Sequence, residues 1–181
     1  MSLQLITPPA SEPVTLADAK AYLKIDGSDE DALVTSLITA SRARAEWHSG
    51  RALVTQSWCL RLDAWPGVVE IPLPPLQTVT SIATTTIDGI RSVIDPALYH
   101  VDSASEPARV CLPTRPLRLA GRDCLEIAFT AGYGDATAVP QAIRQAILEI
   151  TAELYAHRGD DAVPLGRAGQ VLLAPYRIFH L

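Results

Sequence analysis

The feature that most constrains the fold is a change in hydrophobic periodicity, which occurs twice along the 181 residues. Apolar residues recur at helical spacing over 14–50 and 139–158, whereas 53–131 alternates apolar and polar residues in short runs that are typical of strands. The sequence therefore predicts an α+β fold in a single domain, 1–181. It comprises a small bundle of three main helices, with a β-rich insertion between the second and last long helices.

The ends of the helices are predicted by capping residues. The prolines of 1–13 oppose helix, so an extended lead-in is expected there. Thr15 and Asp18 then form a capping box, with Asp in place of the usual Glu. The second helix is predicted over 29–49 with Ser28 as its N-cap. The residues expected on its inward face are Leu33, Leu37, Ile38, Ser41, Ala45 and His48.

The C-terminal segment 164–181 is unusual because its last part, 171–181, is strongly apolar, although chain ends are usually polar. Its combination of apolar, aromatic and arginine side chains is typical of interface hot spots. We predict an extended tail that docks on a partner protein, and the alternative is that the tail folds back on its own domain. The predicted binding residues are Leu172, Leu173, Pro175, Tyr176, Arg177, Ile178 and Phe179.

The sequence contains no recognisable catalytic or metal-binding motif. Its four histidines and three cysteines lie at none of the usual ligand spacings. The glycines of 131–135 lack the remainder of a phosphate-binding loop and are better explained as a turn between strand and helix. We expect no catalytic residue, no metal and no cofactor. The alternative from another class is a small intracellular enzyme, which would require His48, His157 or acidic side chains to converge.

The net charge argues against a nucleic-acid-binding protein, and the hydropathy argues against a membrane-spanning one. With 15 basic and 20 acidic residues, the net charge is -5, which does not suit a protein that holds nucleic acid by neutralising phosphates. No window approaches the roughly 20 apolar residues of a membrane span, and no signal peptide is visible. A soluble protein without membrane contact is expected.

Eight short segments, in order along the chain, resemble the head–tail connector (adaptor) proteins of long-tailed phages and of phage-like gene transfer agents. Each segment alone is a weak signal, whereas together they extend over nearly the whole chain. They are PVTLADAKAYLK (13–24), SDEDAL (28–33), ARAE (43–46), GRALVTQSW (50–58), LPPLQTV (73–79), FTAGYG (129–134), VPQAIRQAI (139–147) and LLAPYR (172–177).

This resemblance implies a structural subunit rather than an enzyme. It implies a ring of twelve copies beneath the portal, at the head–tail interface of a virion or phage-like particle, assembled in the bacterial cytoplasm. The tail would reach the portal protein, and a stopper or tail-terminator protein would bind below. Double-stranded DNA would pass through the channel without sequence recognition, which the acidic charge suits. The alternative in the same class is a tail-completion or stopper ring lower in the neck.

The resemblance also implies that the tail can be removed without loss of the fold. Deletion of 171–181 is expected to leave a folded domain that no longer joins the portal.

Overall fold

The computed structural model describes residues 1–64, 66–112, 124–158 and 164–178. The chain divides into two compact units. The β unit comprises Met1–Pro9 and Thr55–Tyr133, and the helical unit comprises Ala10–Val54 and Gly134–Leu181. The α+β class is confirmed, with four α-helices and antiparallel sheets in the part of the chain that is described. The division follows the change in periodicity, and it adds the first nine residues to the β-rich block.

The described part of the helical unit contains one helix more than the three main helices of the prediction. The helices are α1 (Leu16–Leu23), α2 (Asp31–Ser49), α3 (Gln141–Ala156) and α4 (Arg167–Leu173). The α3 helix packs against each of the others, and a short 3₁₀ turn, Ala174–Tyr176, follows α4.

The predicted capping box is present at the start of α1. The Thr15 hydroxyl accepts a hydrogen bond from the Asp18 N–H at 3.1 Å, and the Asp18 carboxylate accepts one from the Thr15 N–H at 3.3 Å. The Thr15 hydroxyl and N–H lower the pKa of Asp18 below its ordinary value of 3.8. Because the folded state favours the carboxylate, this stabilisation is present above the ordinary pKa and is lost on acidification below it.

The predicted start of α2 is wrong by two residues. Ser28 is not the N-cap, because its carbonyl accepts the Asp31 N–H in a separate turn at 3.2 Å. Glu30 occupies the cap position, and its carboxylate accepts hydrogen bonds from the Tyr155 hydroxyl and the Arg158 guanidinium of the end of α3. These bonds join the start of α2 to a segment 125 residues later in the chain.

The inward face of α2 is rotated slightly from the predicted one. Ile38, Ser41 and Ala45 are buried as predicted, whereas Leu33 and His48 are half-buried at the side of the helix. The residues buried on α2 are Val34, Ile38, Ser41, Ala45 and Ser49. They pack against Ile143, Ile147 and Ile150 of the core face of α3, all fully buried. The Thr151 hydroxyl lies 3.0 Å from the Ser41 hydroxyl, so this buried polar pair is satisfied.

The strands of the β unit in the described residues are β1 (Ser2–Thr7), β2 (Gln56–Leu62), β3 (Val68–Glu70), β4 (Leu76–Thr85), β5 (Arg91–Val93), β6 (His100–Asp102), β7 (Arg109–Cys111) and β8 (Cys124–Ala131). They form two antiparallel sheets, with strand orders β1-β2-β8-β4-β5 and β3-β7-β6. The lead-in predicted for 1–13 includes strand β1, which pairs with β2.

The core of the larger sheet is organised by β8, which pairs with β2 on one side and β4 on the other. Its side chains alternate between buried and half-buried positions, as the period of two predicts. Ile127 lies opposite Leu60 on β2 and Ile82 on β4, and all three are fully buried. Burying each of these side chains contributes about 1.5–3 kcal/mol.

Thr15→Ala is expected to destabilise the helical unit by about 1 kcal/mol, because it removes the side-chain oxygen that caps α1. Thr15→Ser retains that oxygen and serves as the control, with a stability close to wild type. Urea unfolding followed by far-ultraviolet circular dichroism measures both. Equal midpoints for wild type and Thr15→Ala would contradict a stabilising role of the cap.

Candidate functional site

The C-terminal segment predicted to bind a partner folds back onto its own helical unit as far as the structure describes it, to residue 178. An extended tail is therefore wrong for this part, because Arg167–Leu173 forms α4 and packs against α3 and α2. Leu173 is fully buried. A Cβ on Gly169 would lie 3.4 Å from Ile150 Cγ1, so the missing side chain allows α4 to approach α3 closely.

The segment is also anchored to the end of α2 by hydrogen bonds. Arg51 Nε donates to the carbonyl of Tyr176 at 2.6 Å, and the Ile178 N–H donates to the carbonyl of Ser49 at 2.9 Å. Gly50 ends α2 with a φ of 70°. A Cβ at Gly50 would lie 3.6 Å from the Ile178 Cβ, which shows how closely the two backbones meet. The position of the segment is thus set by the backbone that follows α2.

The predicted binding residues divide by their exposure. Leu173 faces the core, whereas Leu172, Tyr176 and Ile178 are half-buried. Phe179 lies outside the described residues. The structure adds Val171, which is 64% exposed and was not among the predicted residues. The rotation of α4 about its own axis decides which side chains point outward. The apolar composition of the segment does not reveal this rotation. From the exposed residues of this segment we select Val171, Pro175 and Arg177, and we call these three the tail surface.

The burial of Leu173 counts against the expectation that deletion of 171–181 leaves the fold intact. That deletion removes a core side chain together with the hydrogen bonds to Ser49 and Arg51. Substitution of exposed residues tests partner binding more cleanly than this deletion does.

A cavity of about 300 Å³ separates the end of α2 from the tail segment, lined by His48, Gln170, Val171, Ala174 and Arg177. Burial, and secondarily the charge of Arg177, lowers the pKa of His48 below its ordinary value of 6.5. A neutral imidazole can accept or donate one hydrogen bond. Among the residues that the structure describes, this lining contains no carboxylate, thiol or second histidine, so the described side chains do not supply the convergent acid–base groups that the enzyme alternative requires.

The described ranges contain neither a cluster of potential metal ligands nor a membrane-spanning helix. No group of three or more His, Cys, Asp or Glu side chains there could hold a metal ion. No described helix is long and apolar enough to cross a membrane.

Comparison with known proteins agrees with the resemblance noted in the sequence. Residues 13–95, a little under half of the chain, match the family model described as "Phage gp6-like head-tail connector protein". The predicted resemblance to head–tail connectors is confirmed. The matched family is one of connector proteins rather than of enzymes. No curated protein matches the chain.

Solved structures extend the likeness to the full length. A chain in the neck of an empty gene transfer agent particle, computed with C6 symmetry, matches with a TM-score of 0.85 and 24% identity. A chain in the virion of a native gene transfer agent particle gives 0.84 and 23%, and one in a native neck computed with C12 symmetry gives 0.80 and 25%. Each match covers 100% of this chain and 97% of the other. The fold that this chain shares with those chains thus extends beyond residues 13–95.

Leu173→Ala is expected to destabilise the helical unit by about 2–5 kcal/mol, because it leaves a cavity between α4 and α3. Val171→Ala, on the same helix and exposed, is the matched control, with a change below about 0.5 kcal/mol. Urea unfolding of both variants measures this. A similar loss of unfolding free energy in the two variants would contradict the assignment of Leu173 to the buried side of α4 and of Val171 to the exposed side.

The stability of the helical unit is expected to fall as the pH falls below about 6.5, because the folded state resists protonation of His48. The His48→Gln variant should show a smaller loss of stability than wild type between about pH 7.5 and 5.5. His100→Gln, at an exposed position of the β unit, is the control. Thermal unfolding followed by circular dichroism at both pH values measures the difference. An unchanged pH dependence in His48→Gln would refute the role of this residue.

Proposed function

We propose that this chain is a structural head–tail connector subunit, which forms a ring in the neck of a phage-like particle at the head–tail interface. The observation that carries the proposal is the likeness of the complete chain to gene transfer agent neck components, joined to the connector match over 13–95. Assembly, rather than catalysis, is then the function of the fold. No cofactor or metal takes part.

Rotational repetition of the subunit is supported by the symmetry of the matched necks, which were computed with C6 and C12 symmetry. We propose a ring of twelve copies, with the portal protein above and a stopper or tail-terminator protein below. Formation of the ring would take place in the bacterial cytoplasm during particle assembly.

The charges of the described residues suit a channel through which DNA passes without being held. The net charge is -5. Glutamates pair with many of the arginines and compete with phosphates for them. The arginines within ion-pair distance of a glutamate include Arg42, Arg61, Arg91, Arg109 and Arg158. Double-stranded DNA in the channel would therefore meet a surface that binds it weakly and without sequence recognition.

The tail surface is the part of the predicted portal-binding segment that a partner can reach on the folded subunit. Leu172, Tyr176 and Ile178 lie half-buried beside it and can add apolar area to the contact. The fixed position of the segment lowers the ordering cost of binding, because its backbone is already held by Arg51 and Ser49. We propose that this segment, together with Phe179, contacts the portal.

Arg177→Glu is expected to weaken binding to the portal protein at least tenfold, because it reverses the charge of the tail surface. Arg167→Glu is the matched control, since Arg167 is exposed at the other end of the same segment. Titration of each full-length variant against purified portal, by surface plasmon resonance, measures the affinity.

Equal affinities for wild type, Arg177→Glu and Arg167→Glu would contradict the tail surface as the binding site. If the wild-type chain binds a lower neck protein and does not bind the portal, the stopper alternative replaces the connector.

A further inference from the structure

The outward face of α2 has an unusual composition for a surface helix. It carries no charge, although exposed helix faces are normally charged or polar. The last of these residues, Trp47, is 86% exposed. The exposed residues of this face are Ala32, Ser36, Ala40, Ala43 and Trp47.

Trp47 points away from the core of its own helical unit. It lies two residues after Ala45 and two before Ser49, both of which are buried. At 100° per residue, a side chain midway between them faces the opposite side of the helix. Because the indole lies on the side of α2 opposite to α3, sliding α2 along α3 would not bury it.

A groove of about 330 Å³ lies elsewhere on the helical unit, between α1 and α3. Val14, Ala21 and Leu148 supply apolar surface, and Asp18 and Arg144 supply charge. Arg144 Nε is buried and has no hydrogen-bond partner among the described residues. Burying such a donor without an acceptor is costly.

The groove and the indole are chemically complementary. The ring face of tryptophan attracts a guanidinium, which Arg144 provides. A buried indole N–H requires an acceptor, and the Asp18 carboxylate at the groove has more acceptor capacity than is used by the bonds it accepts from the Thr15 N–H and hydroxyl. The apolar walls accommodate the remainder of the ring.

The two surfaces lie on different sides of the subunit, since the groove is formed on α3 and Trp47 faces away from α3. A contact between them joins unlike surfaces of two copies, and it leaves one indole and one groove open for further copies. Repetition of such a contact produces a closed ring when the equal rotations from one copy to the next add up to a full turn. Two of the matched necks were computed with C6 and C12 symmetry, which is compatible with such rings.

We propose that Trp47 of one copy inserts into the α1–α3 groove of the next copy. The inference rests on the proposed ring function and identifies a contact between its subunits.

Photocrosslinking tests the contact directly. A benzophenone amino acid replaces Trp47 in the full-length chain, which is studied as concentrated purified protein and in assembled particles. Mixing isotopically labelled and unlabelled copies separates crosslinks between copies from those within one copy. The expected products join position 47 to 13–22 or 141–148 of a second copy. Crosslinks to other regions of the second copy, or none between copies in either sample, would overturn the proposal.

Variants provide a second test by sedimentation of the purified chain. Trp47→Ala and Ala21→Arg, which places a long side chain in the groove, should each raise the concentration for self-association at least tenfold. The double variant should lose no more than either single one, because both remove the same contact. Ile87→Ala is the control, since Ile87 is 72% exposed in the β unit. If Trp47→Ala self-associates at the same concentration as Ile87→Ala, the proposal is overturned. This outcome does not depend on whether Ala21→Arg folds.

The location of the chain is judged separately. Crosslinks between purified copies, together with absence of the chain from the neck of the particle, would support the contact and refute the proposed function.

Discussion

The helical unit depends on the packing of α3, whose apolar face contacts each of the other described helices. Ile143, Ile147 and Ile150 are fully buried on this face. Their burial fixes α2 on one side and allows α4 to bring Leu173 into the same core. Because α2 and α4 are held in this way, the side chains that remain outside, Trp47 and the tail surface, have fixed positions. Preorganised surfaces of this kind suit a subunit that acts by assembly.

Local patterns in the sequence predict most of the secondary structure, because the information for each element lies within a few residues. The capping box of Thr15 and Asp18 and the alternation in β8 are examples. The predictions that were wrong concern distant partners. Glu30 rather than Ser28 occupies the N-cap position of α2, and its carboxylate bonds to Tyr155 and Arg158 instead of to the helix N–H groups, which no local pattern reveals. Strand β1 likewise depends on pairing with β2.

The candidate site could likewise be predicted only in part from the sequence. The apolar character of the C-terminal segment is visible in the sequence, but the direction of each side chain depends on α4 and on its packing. Leu173 and Val171 are similar residues two positions apart, and one lies in the core while the other is exposed. The groove at Arg144 combines α1 with α3, which are more than a hundred residues apart in the chain, so only the folded structure reveals it.

The central claim is that this chain forms a ring at the head–tail interface, and cryo-electron microscopy of the neck of the assembled particle tests it most directly. The account predicts rotationally repeated density into which both the helical and β units fit, with the tail surface facing the portal. A neck reconstruction without this chain, or a ring whose tail surface faces away from the portal, would contradict it.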